Sequence, residues 1–377
     1  MRKILGTALV CYLILVSSLN AQADLMQERL LLTFIPNIQF APFYLGIADG
    51  HFAREGFDVS LEHLQEPDVM DLVAAGQADF GIVSGEQVIL ARSQGRDVIY
   101  VYEWFQEYPV GMVLVGDDSG ADLANLRDMT VGIPGRFGAS YSGLTTLLHS
   151  AGLSEGDIEL NEIGFNAPDV FCLGAIDAAV VYVNNEPLQI RDRVAAGECG
   201  DVRGVSVVPV ASRVDLVSNG LIVSADLARR DPDKVQRMIR GFDSALRAAI
   251  NNPANAYLAS VAFVETLPGD AEFLALLQDL AAQQAAFLES GPTREEIAQS
   301  RSEMLALLAS VSGSEHLTQF EVLLRTIDLW DADALGYSDL LSWEAMGATL
   351  RLMGLLSGDP PDLTASFSNQ FVAGIPE

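Results

Sequence analysis

Aromatic, amide and carboxyl side chains gather at five places in this chain: Phe34, Asn37, Gln39 and Phe40; Ser84 and Glu86; Trp104 and Tyr108; Phe137, Ser140 and Tyr141; and Tyr182, Asn185 and Glu186. Rings of this kind stack on a flat ligand, and amides or hydroxyls hydrogen-bond its polar edge. A single aromatic at a strand end is more often core than contact. The coincidence of five clusters is what points to a binding site, with Trp104 as a stacking platform whose removal should weaken binding and leave folding nearly intact. No catalytic grouping stands beside them. Neither a Ser-His-Asp set nor paired carboxylates stand out, and His51, His63, His149 and His316 lack metal-ligand spacing, so neither a metal nor a cofactor is expected.

The elements that must position these residues follow from periodicity. Leu30 to Ile35 has strand character, and Pro36-Asn37 breaks it. From Ala41 the apolar residues Phe43, Tyr44, Ile47, Ala48 and Phe52 recur at helical spacing, and Phe57 to Val59 opens a second strand. Strands at Phe80–Val83, Val98–Tyr102, Thr130–Ile133 and Ala178–Val183 lead into the other four clusters. All five therefore lie at carboxyl ends of strands, the edge where open α/β sheets bind ligands. Glycines 132, 135 and 138 in the run to PGRFGAS match neither the dinucleotide fingerprint nor a Walker loop. They suit an ordinary strand-to-helix turn, or a loop presenting N–H groups to a ligand; the following helix should bury Tyr141, Leu144, Leu148 and Ala151 on one face. Asn185 before Glu186-Pro187 also fits normal helix capping.

The turn-rich run Gly116–Gly120 reads as a crossing between two lobes, giving lobe one as 24–117 with 218–377 and lobe two as 118–217. From Asp231 the pattern is helical, with a capping box at Thr293 and Glu296, and reads as packing around the first lobe.

Half of the 377 residues are apolar, enough for a large core. Residues 1–23, with MRK, an apolar run and Ala21-Gln22-Ala23, read as a cleavable signal; Cys11 sits inside the run without a small-residue box before it, so a lipid anchor is not expected. No other run is long and apolar enough to span a membrane, so a soluble protein outside the cytoplasm is expected. Without Arg2 and Lys3 the balance is 20 basic against 51 acidic side chains, −31, which disfavours nucleic acid and anionic lipid as partners. Cys172 and Cys199 fit either a disulfide or buried free thiols.

The opening FIPNIQFAPFY, with its Gly56, Asp58 and Val59 tail, resembles the ABC-importer substrate-binding proteins of the ThiY and RibY type, which take thiamine pyrimidine precursors or riboflavin. The most specific match is DAAVVYVNNEP, Asp177–Pro187; DLVSNGLIVS and SFSNQFV also match. The resemblance implies an α/β type II periplasmic-binding-protein fold, two lobes around a ligand cleft with extra C-terminal helices. It implies a monomeric receptor working with a permease and its ATPase, in which Asn185 and Glu186 hydrogen-bond a heterocycle. Members for thiamine precursors usually carry Trp and His where this chain has Phe34 and, near the APFY segment, Gln39 and Phe40, which points to the riboflavin branch. Size agrees: a three-ring flavin hides ~400 Å² of apolar face, about twice one aromatic side chain, worth ~10 kcal/mol gross before association costs. A pyrimidine-precursor receptor is the alternative. A pyrimidine synthase is disfavoured because the only lysine after the leader, Lys234, falls on an exposed-looking helix and no cysteines cluster. An extracytoplasmic sensor would need a signalling segment, and none is visible.

Overall fold

A computed structural model describes residues 25–116, 122–357 and 361–373. The leader, Cys11 and positions 117–120 of the expected crossing lie outside the described residues. Ten strands run through the described part: β1 (Met26–Thr33), β2 (Phe57–Leu64), β3 (Phe80–Ser84), β4 (Val98–Glu103), β5 (Val110–Val115), β6 (Thr130–Ile133), β7 (Glu159–Glu162), β8 (Ala178–Tyr182), β9 (Val205–Pro209) and β10 (Asn219–Ser224). They form two five-stranded sheets, in the orders β2-β1-β3-β10-β4 and β7-β6-β8-β5-β9. In each sheet one strand arrives from the other half of the chain and runs antiparallel to its neighbours: β10 between β3 and β4, and β5 between β8 and β9.

This corrects the first crossing. Val110–Val115 was assigned to lobe one, yet Val110 stands opposite Tyr182 and Gly111 opposite Pro209, so the strand belongs to the second sheet. The chain crosses between β4 and β5, over residues 104–109. Turn chemistry does not by itself mark a crossing; which sheet a strand joins is decided by distant partners that local sequence does not display. The return crossing runs from β9 to β10.

The C-terminal helices do more than cover lobe one. Helix Leu340–Leu352 packs on Gly85–Ser93 of lobe one and on Gly138–Ser150 of lobe two. Helix Ser314–Trp330 touches Glu186–Ala196, and Asn184 Nδ2 donates to Thr326 Oγ1 at 2.7 Å. Lys234, expected to be exposed, is buried at the start of helix Pro232–Asn251, where it pairs with Glu28 and Asp79. The ion pairs and the seat of its ammonium over the Phe80 ring, 5.7 Å from the centroid, explain its burial. Among the described residues no helix is long and apolar enough to cross a membrane.

Cys172 and Cys199 are joined in a disulfide spanning 27 residues of chain in lobe two. A loop of that length restricts the unfolded chain, so Cys199→Ala with Cys172→Ala should lower unfolding free energy by about 3 kcal/mol in denaturant titration. An unchanged midpoint would show that the bridge adds nothing to stability.

Candidate functional site

The two lobes meet over a cavity with about 790 Å³ of empty space, its open mouth included. Phe34, Phe40, Trp104 and Phe105 line it from lobe one, and Phe137, Phe165 and Tyr182 from lobe two. The polar lining includes Thr33, Gln39, Gln65, Glu66, Ser140, Glu186 and Asn219. At the cavity the lobes touch where the Tyr182 hydroxyl donates to Asn219 Oδ1 at 3.0 Å and where the rings of Phe34 and Phe165 meet edge to face at 4.4 Å.

Each wall residue is set by its local chain. Phe34 follows β1 with φ 67, a conformation rare for a bulky side chain, which turns the chain into the cleft. Asn37 caps the short turn Ile38–Phe40, accepting from Gln39 N–H at 2.9 Å, and so places Gln39 and Phe40. The Phe137 ring lies over Gly135, where a Cβ would stand 2.4 Å from it. Gly138 opens the helix Gly138–Ser150 with φ 66, and a Cβ there would meet Glu66 Oε2 at 2.1 Å. Both glycines of PGRFGAS thus make room for a wall residue.

Glu66, at the start of a helix following β2, is held by Ser84, whose N–H and hydroxyl reach Glu66 Oε1; the same hydroxyl lies within reach of Glu86 Oε1. A hydroxyl has one proton to donate, so contact with both carboxyls requires a proton on the pair. Burial raises both groups, Glu86 to about 8. Glu186, partly open to the cavity, is pushed up to about 7 by burial, against hydrogen bonds from the backbone of Tyr182 and the side chain of Asn185. Two buried donors in the wall, Gln39 Nε2 and Trp104 Nε1, have no partner among the described residues.

Of the fourteen residues singled out in the sequence, Phe34, Gln39, Phe40, Trp104, Phe137, Ser140, Tyr182 and Glu186 line the cavity. The other six do not. Asn37 caps its turn, and Ser84 and Glu86 lie behind Glu66. Tyr108 is buried with its hydroxyl donating to Ala139 O at 2.7 Å. Tyr141 turns outward, donating to Glu155 at 2.8 Å in a cluster with Arg136. Asn185 begins the helix Glu186–Ala196 and accepts from Gln189 at 2.8 Å. Glu66, Phe165 and Asn219 were missed. Glu66 reads locally as an acidic residue beside a helix-opening proline, and Phe165 lies in a loop beyond β7; their one signal was a strand's carboxyl end.

Trp104 is also more than a platform. It is 2% exposed and packs against Phe40, Phe43, Phe105, Phe242 and Trp330, so it joins the wall to the lobe-one core.

A family model described as NMT1/THI5 like matches residues 37–256. The chain belongs to that family. It is 32% identical over 358 residues to the riboflavin-binding protein RibY of Chloroflexus aurantiacus, covering 94% of this chain and 88% of that one. A formylaminopyrimidine-binding protein of Halalkalibacterium halodurans is 28% identical over 49% of this chain and 57% of its own. A 4-amino-5-hydroxymethyl-2-methylpyrimidine phosphate synthase of Legionella pneumophila is 21% identical over 60% of this chain and 71% of its own. Among solved structures, the ligand-binding component of an ABC-type import system from Staphylococcus aureus superposes with TM-score 0.59 at 12% identity, over 93% of this chain and 99% of that one. The two-sheet NMT1/THI5-like chain therefore has the expected periplasmic-binding-protein fold.

Truncating Trp104 to Ala should cost about 3–5 kcal/mol of stability, read by denaturant unfolding; a variant as stable as the parent would show that the ring is not part of the core. The buried carboxyls set a pH dependence. Glu86 and Glu103 are raised from 4.5 to about 8, so between those values the folded chain holds more protons than the unfolded one. Stability should therefore fall as pH rises from 5 to 8, by a few kcal/mol. Melting temperatures across that range check it, and a rise with pH would contradict it.

Proposed function

We propose that this chain is the extracytoplasmic solute-binding protein of an ABC importer, that its ligand is riboflavin, and that it delivers this ligand to a membrane permease driven by an ATPase. The carrying observation is one cavity walled by rings from both lobes, in a chain that aligns over nearly all its length with a relative named for riboflavin binding. Rings on both sides would cover the two faces of a fused ring system. Gln39 Nε2 and Trp104 Nε1 would serve its carbonyl or ring-nitrogen acceptors, and Glu186 its N–H or hydroxyl donors. The protein would act as a monomer after removal of its leader, with hinge closure of the lobes around the ligand.

A pyrimidine precursor is the second reading, favoured by the half-length match to the formylaminopyrimidine-binding protein. A synthase is disfavoured by the wall itself: among the described residues no lysine, cysteine or histidine lines it, and Lys234 is occupied by Glu28 and Asp79. Riboflavin titration should quench flavin fluorescence and saturate at one ligand per chain. Phe137→Ala, which removes a half-buried ring of the lobe-two wall, should weaken binding by about tenfold with unfolding unchanged. Binding of hydroxymethylpyrimidine without riboflavin would move the assignment to the second reading, and binding of neither would end both.

A further inference from the structure

A helix N-terminus facing a cleft offers free N–H groups and the positive end of a dipole, the usual seat for a phosphate. The 13-residue helix Gly138–Ser150 faces the cavity in this way, with Gly138, Ala139 and Ser140 in the wall. That seat is taken by the protein's own acid. Glu66 Oε2, from the opposite lobe, lies against Gly138 so closely that only glycine fits. Ser84 fixes the carboxyl there through its N–H and hydroxyl.

We propose that Glu66 is a specificity-determining residue that bars phosphorylated ligands: the cavity takes the uncharged alcohol and rejects its phosphate ester. This rests on the receptor reading above and adds the charge class of the ligand. The Ser84 geometry requires a proton on the Glu66–Glu86 pair, and what the pair presents to the cavity is carboxyl oxygen with no cation beside it. Glu186 adds a second acid from lobe two. Among the described residues no arginine, lysine or histidine lines the cavity. Arg136, in the loop before the helix, is held outward by Glu155 and Glu162. His63, packed on Phe40, has its Nδ1 3.2 Å from Phe34 O, and burial favours its neutral form. The unpartnered donors, Gln39 Nε2 and Trp104 Nε1, are neutral, and both are at least nine-tenths buried. A phosphate entering this space would lose its water and meet carboxyl oxygens without a counterion.

The test compares affinities of the full mature chain for riboflavin and riboflavin 5′-phosphate by fluorescence, and for hydroxymethylpyrimidine and its phosphate by calorimetry. The ester of whichever alcohol binds should bind at least about 100-fold more weakly. Glu66→Gln, which keeps the shape and replaces a carboxyl oxygen with an amide donor, should narrow that ratio about tenfold, mainly by tightening the ester. An ester within about threefold of its alcohol, as when the phosphate protrudes through the mouth, overturns the proposal and leaves the receptor reading intact. An unchanged ratio in a folded Glu66→Gln overturns the role of Glu66. If neither alcohol binds, the receptor reading falls and this proposal with it. The wild-type ratio needs no variant, so a Glu66→Gln chain that fails to fold still leaves a decisive comparison.

Discussion

Carboxyl groups sit beside the cleft with no cation to match them, and the strand ends are arranged to make this tolerable. Glu66, Glu86, Glu103 and Glu186 take part in none of the ion pairs among the described residues. An ionised carboxylate removed from water without compensation is costly, so each must keep a proton or collect donors. Ser84 serves Glu66 and Glu86, the Tyr182 N–H serves Glu186, and Ser218 N–H with Ser338 serves Glu103. These donors stand at or near the ends of β3, β8 and β10. Shifting any of those strands by one residue would strand an acid, which ties the sheet registers to the polar layer of the cavity.

The same region connects the cleft to the body of the protein. Trp104 opens the first crossing and faces the cavity, yet its indole stacks on Trp330 of a C-terminal helix. That helix also holds Asn184 of lobe two through Thr326. Lobe closure is thus constrained from behind as well as across the mouth. Any hinge motion must carry the 104–109 crossing with it or slide lobe two against the C-terminal helices. Rings at the site are an extension of the core, and binding and stability share them.

Much of this was legible in the sequence because strand ends announce themselves. Pro36-Asn37, Ser84-Gly85 and Asn184-Asn185 each interrupt an apolar run, and each does open onto the cleft region. What local pattern could not carry was partnership at a distance. β5 looked like the last strand of lobe one because it follows β4 closely, whereas its partners, β8 and β9, come 60 to 100 residues later in the chain. Tyr141 looked like a wall residue because it follows Phe137 and Ser140. One helical step turns it away from the cavity, toward Glu155. Glu66 was invisible for the opposite reason: an acid beside a helix-opening proline needs no ligand to explain it.

The NNEP string shows why a distinctive motif is not the same as a set of contacts. Its second asparagine and its glutamate looked like readers of a ligand edge, the role that the resemblance implied for Asn185 and Glu186. In the folded chain Asn184 reaches Thr326, and Asn185 bonds Gln189 and supports Glu186. Only the glutamate enters the wall. A carboxyl that must present one face to a guest needs its other surroundings fixed, because a half-buried acid with a loose neighbour would find water or another donor. The asparagines therefore constrain binding through geometry: they hold the helix start, and the helix start holds Glu186. Changing either amide should alter the site by moving an acid it never replaces.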